Sequence, residues 1–119
     1  SERGLAELQA RQRLQALVDR VRSLESEARQ LESEQESVAR RLELAQKSVE
    51  RYRELARSGF VSEVQVQQRQ EELLDLTGRR NSVDRTLIAV RRDAQALRAE
   101  QAQLDAALRT QLAQLDRGM

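Results

Sequence analysis

The chain has 119 residues, 34% charged and 2% aromatic, with no Pro, Cys, His or Trp and a formal net charge of +1. So few aromatics argue against a globular core. The absence of Cys and His excludes disulfides, thiolate sites and the commonest metal ligand. The near-zero charge removes any bulk pull toward nucleic acid or anionic lipid.

The remaining composition, rich in Ala, Leu, Glu, Gln and Arg, is that of long helices and coiled coils. It is too apolar and too periodic for a disordered tail. Charges are spread evenly, with 12 basic and 11 acidic residues in 1–57 and 9 of each in 58–119. No run of 18 apolar residues exists, so no segment is expected to span a membrane, and no signal peptide is visible. The chain starts and stops in mid-pattern, which suggests a piece of a larger protein.

The first predicted element is a helix over about residues 3–58. Apolar residues recur at alternating steps of three and four: Ala10, Leu14, Leu17, Val21, Leu24, Ala28, Leu31, polar Gln35, Val38, Leu42, Ala45, Val49, Tyr52 and Ala56. That is a heptad seam. Leu5 and Leu8 fall off it, so the first turns are expected to fray or shift phase.

A turn follows at about Ser58–Val61. Gly59 fits the C′ position, where a left-handed backbone is needed, with Phe60 at C″ and Leu55 at C3 as the apolar pair of a Schellman motif. Ser62 fits the next N-cap, with Gln65 three residues on completing a capping box, and Val61 and Val66 occupy the places of a hydrophobic staple. So short a turn forces the flanking helices to be antiparallel neighbours.

A second helix is predicted over about residues 62–117, with its seam at Val66, Arg69, Leu73, Leu76, Arg80, Val83, Leu87, Val90, Ala94, Leu97, Gln101, Leu104, Leu108, Gln111 and Leu115. Each helix would be ~70–80 Å long at ~1.5 Å per residue. Within it, Leu76-Thr77-Gly78-Arg79-Arg80-Asn81-Ser82 combines a Gly, costing ~1 kcal/mol relative to Ala, with poor helix formers. A break and a third helix is one outcome there. A bend in a continuous helix is the other, and the seam keeps its phase from Leu73 to Val83.

Folding back at Gly59 makes residue i face residue 118 − i. Each seam position from Ala10 to Tyr52 then meets a seam position: Leu14 meets Leu104, Val21 meets Leu97, Leu42 meets Leu76 and Tyr52 meets Val66. Polar seam residues never meet each other, since Gln35 faces Val83, Arg80 faces Val38, Arg69 faces Val49 and Gln101 faces Leu17. A long polar stem can cross an apolar partner and carry its head to water. The fold class is therefore all-α, one long two-helix antiparallel coiled-coil hairpin.

No catalytic grouping is present. The many carboxylates lie among arginines on outer helix faces, where solvated ion pairs of a few tenths of a kcal/mol are the ordinary outcome. There is no Gly-rich phosphate loop, and neither enzyme activity nor a cofactor is expected.

The tip reads Arg51-Tyr52-Arg53-Glu54-Leu55-Ala56-Arg57-Ser58-Gly59-Phe60-Val61-Ser62. It resembles the hairpin tip of periplasmic adaptor (membrane fusion) proteins of the HlyD and AcrA type. That family carries an Arg, a Leu four residues on and a Ser seven further, matched here by Arg51, Leu55 and Ser62. Gly59-Phe60-Val61-Ser62 is similar to the family's turn. The resemblance implies a hairpin in the periplasm whose tip docks onto a TolC-like outer-membrane channel in type I secretion or efflux. It implies a parent protein anchored in the bacterial inner membrane, assembled as a ring, typically of six, and bridged to an inner-membrane transporter by parts outside this chain. Arg51, Leu55, Ser62, Phe60 and Gly59 would form the docking tip.

Local structure offers alternatives for the same residues. Leu55 serves the Schellman contact, Ser62 the N-cap, and Arg51 an ion pair with Glu54 three residues on. An exposed Phe60 would suit a docking anchor. Two other functional classes are open. One is a nucleic-acid-binding arm like that of seryl-tRNA synthetases, drawing on Arg40-Arg41, Arg79-Arg80 and Arg91-Arg92 but with a poor electrostatic footprint. The other is a purely structural coiled coil.

Overall fold

The computed structural model describes residues 1–118. It holds two α-helices and no strand among them: α1, Glu2–Arg57, and α2, Glu63–Arg117. The predicted helix ends at 58 and 62 fall one residue outside these, because Ser58 and Ser62 are the flanking cap positions. Ser1 starts α1 by accepting the Gly4 amide N–H on its hydroxyl at 3.2 Å and the Leu5 N–H on its carbonyl at 3.1 Å.

The described residues fall into two compact units. One pairs Ser1–Ala28 with the α2 segment that begins at Ala89. Its buried residues are Ala10, Val21, Val90, Ala94 and Leu108, all on the predicted seam. Across the pair, Arg98 donates to Glu25 at 2.7 Å. Leu5 and Leu8, off the seam, are exposed as the pattern implies.

The other unit, Arg29–Ile88, contains the turn. Its buried residues are Val38, Leu42, Val49, Val66, Val83 and Leu87, again all on the seam. Burying each such side chain contributes about 1.5–3 kcal/mol against the entropy of ordering it. The helices here are antiparallel: the α2 partner falls in number as α1 advances, from Gln35 with Asp84 at 2.8 Å to Tyr52 with Arg69 at 3.0 Å.

The ion pairs report the register. With Leu42 at a and Ala45 at d in α1, and Leu73 at a and Leu76 at d in α2, Glu34 and Arg79 both fall at g, and Glu25 and Arg98 both at e. Like-lettered flanks face each other in an antiparallel pair. The residue numbers add to 113 for Glu34–Arg79 and to 123 for Glu25–Arg98, five below and five above the mirror value of 118. Each bridge has partly exposed partners and contributes about 0.2–1 kcal/mol, so they report the register more than they enforce it.

Gly78 does not break α2. The helix runs continuously through Thr77–Ser82. Thr77, a poor helix former, returns its hydroxyl to the Leu73 carbonyl at 2.8 Å, and Thr86 does the same to Ser82 at 2.9 Å. The polar seam positions follow different courses. Gln35 turns to Asp84, and Arg69 lies on Tyr52, whereas Arg80 and Gln111 are simply exposed. A guanidinium at Arg80 gains more from water than from crossing Val38.

Candidate functional site at the interhelical turn

The turn is specified by its own backbone. Gly59 has φ 77°, the left-handed region where a Cβ is costly. The Phe60 N–H donates to the Leu55 carbonyl at 2.9 Å and the Gly59 N–H to the Ala56 carbonyl at 3.1 Å. These are the two bonds of a Schellman motif, and they satisfy carbonyls that the end of α1 would otherwise orphan.

Helix α2 opens with a reciprocal capping box. The Gln65 N–H donates to the Ser62 hydroxyl at 3.2 Å, and the Ser62 N–H donates to the Gln65 side-chain oxygen at 2.9 Å. Val66 donates its N–H to the Ser62 carbonyl at 3.2 Å and buries its side chain, while Val61 before the cap is half-buried, the arrangement expected of a staple. Ser62 is thus bonded on its N–H, its carbonyl and its hydroxyl, and local capping accounts for it.

The remaining tip residues are less committed. Leu55 is half-buried, and its carbonyl accepts a bond of the Schellman motif. Phe60 is 77% exposed, and Val64 is 62% exposed. Arg51 is exposed, and the ion pair with Glu54 is not formed. Among the described residues no other carboxylate lies within ion-pairing distance of it. Arg53 and Arg57 are exposed and equally without an ion pair there.

At 100° per residue, Arg51 and Leu55 share one flank of α1, and Arg53 and Arg57 lie about 200° round from Arg51 on the other. On that second flank a shallow groove of about 190 Å³ is lined by Arg53, Ala56, Arg57, Glu63 and Val66. The sequence pattern did not single out this groove, although the spacing of Arg53 and Arg57, one turn apart, was a visible signal.

Just below the tip, the Arg69 guanidinium lies 4.6 Å from the centre of the Tyr52 ring. It also donates to the Tyr52 hydroxyl at 3.0 Å and reaches Glu72 at 3.3 Å. The hydrogen bond to Tyr52 and the electrostatic interaction with it, with a smaller contribution from Glu72, raise its pKa above the ordinary arginine value. Arg69, charged as any arginine is, thus covers an aromatic seam residue. This cluster braces the base of the turn, and its partners could not be read from a pairing rule that placed Arg69 opposite Val49.

No described helix is long and apolar enough to cross a membrane. No family model matches this chain, and no characterised protein or solved structure matches it either.

Proposed function

We propose that this chain is the α-helical hairpin of a periplasmic adaptor, and that its tip docks onto a TolC-like outer-membrane channel in a type I secretion or efflux system. The observation that carries the reading is a separation of roles at the turn. The backbone and Ser62 satisfy the turn's own hydrogen bonds. Arg51 and Phe60 contribute to none of them through their side chains and stand in solvent. An unpaired Arg offers five donors to carbonyls or carboxylates, and an exposed aromatic offers apolar area at low entropic cost. Gly59 would shape this surface, Leu55 would add apolar contact beside Arg51, and Ser62 would hold the frame.

On this reading the parent protein is anchored in the inner membrane, works in the periplasm as a ring, typically a hexamer, and meets its transporter through parts outside this chain. The nucleic-acid-arm alternative draws less support, since Arg79 of its basic cluster is tied to Glu34 at 2.8 Å. The test is export and channel binding by Arg51→Asp and Leu55→Ser variants. Both should lose docking while keeping wild-type helicity by circular dichroism, because neither side chain carries a turn hydrogen bond. Normal export by both variants would overturn the assignment.

A further inference from the structure

The apolar seam does not by itself choose one register. A slip of one heptad makes residue i face residue 125 − i, and the seam still matches: Val21 meets Leu104, Val38 meets Leu87 and Leu42 meets Val83. Polar seam positions again meet only apolar ones, with Gln35 facing Val90 and Arg80 facing Ala45. The opposite slip, with i facing 111 − i, matches as well, since Leu24 meets Leu87 and Val38 meets Leu73. A period-seven pattern repeats under a seven-residue shift, so heptad packing is nearly degenerate among the three.

The polar contacts are not degenerate. Gln35 stands at an a position and donates its side-chain amide to the half-buried Asp84 carboxylate at 2.8 Å. Either slip carries Asp84 away from this donor, to a place beside Leu42 or beside Ala28. A half-buried carboxylate that exchanges a hydrogen bond for an apolar neighbour loses the bond without regaining full hydration. Each slip also sets two carboxylates together where an ion pair now stands. Glu25 would meet Asp105 in place of Arg98 in the first, and Glu34 would meet Glu72 in place of Arg79 in the second. These partly exposed flank pairs are individually weak, so the Gln35–Asp84 bond is the contact with most to lose.

We propose that Gln35 and Asp84 form a register lock, a polar layer that selects this hairpin from the slipped ones its seam would accept. Its role goes beyond the docking reading and does not depend on it. The lock nonetheless protects the tip. In the 125 − i register the last facing seam pair is Ala56 with Arg69, and residues 57–68 fall outside the pairing, so Gly59 and Ser62 no longer shape a tight turn.

The experiment separates the lock from the turn, which also favours this register. Residues 58–61 are replaced by a flexible Gly/Ser linker of about twelve residues, long enough for any of the three registers. Ala45→Cys, Leu73→Cys and Arg80→Cys are added to every variant. The thiol at 45 then closes with the one at 73 in the native register and with the one at 80 in the 125 − i register. In a glutathione redox buffer the two bridges equilibrate, and peptide mapping of the monomer gives their ratio. The 45–73 bridge should dominate by about tenfold or more while Gln35 and Asp84 are in place. Gln35→Leu/Asp84→Leu should keep full helicity and lower that ratio about tenfold. Gln35→Glu should lower it further, because it sets two carboxylates together in the native register and a carboxylate beside Arg91 in the slipped one. A linker chain that already forms both bridges equally would overturn the lock and leave the register to the turn. An unchanged ratio in the Gln35→Leu/Asp84→Leu chain would overturn it as well.

Discussion

Two glycines in the same compact unit have opposite fates. Gly59 adopts φ 77° and ends a helix, whereas Gly78 lies inside an unbroken one. Residue identity does not separate them. Gly59 is followed by a capping serine and its Gln65 partner, and the carbonyls before it are taken by the turn's own amides. Gly78 has none of these, and the seam runs past it from Leu76 to buried Val83 without a change of phase. A glycine becomes a turn where caps supply replacement hydrogen bonds and packing asks for a reversal. Elsewhere it costs a helix only its propensity.

The largest expected effect tests the packing half of that contrast. If the seam carries α2 through Gly78, then Leu87→Ala, at a residue 2% exposed, should cost about 2–5 kcal/mol. Urea denaturation followed at 222 nm measures it. A cost near zero would mean that the seam does not hold this segment.

At the turn, Gly59→Ala forces a Cβ into the left-handed region and should cost about 1–2 kcal/mol by the same assay. A neutral result would remove the distinction between the two glycines. The smallest effect has the opposite sign. A Cβ at Gly78 meets nothing within 4 Å, so Gly78→Ala should stabilise by about 1 kcal/mol. Destabilisation there would show that Gly78 is needed for its shape.

Much of this fold was legible in the sequence because its information is local or periodic. Heptad spacing selects which residues are buried, and every buried residue lies on the predicted seam. Cap and turn residues act on neighbours within a few positions, so Gly59, Ser62 and Gln65 could be assigned from spacing alone. What stayed hidden depends on where long flexible side chains settle. Gln35 reaches Asp84, Arg69 prefers Tyr52 to crossing Val49, and Arg80 leaves the seam for water. Each choice balances solvation against a partner, and a heptad letter does not encode that balance. The tip was legible as a place and only partly as a surface. The motif marks Arg51, Leu55 and Ser62, but which of them is spent on the turn emerged from the hydrogen bonds, and the Arg53–Arg57 groove emerged from the packing of α1 against α2.

The hairpin rests on one register, in which residue i faces residue 118 − i about Gly59. Because the chain has no cysteine, it can be tested by introducing two. Leu42→Cys with Leu76→Cys places thiols on facing seam positions, and Leu42→Cys with Val83→Cys shifts one of them by a heptad. Under mild oxidation the first pair should close a disulfide within one chain, seen as a faster-migrating monomer, while the second should not. Rapid closure of the shifted pair, or disulfides formed only between chains, would contradict the hairpin as described.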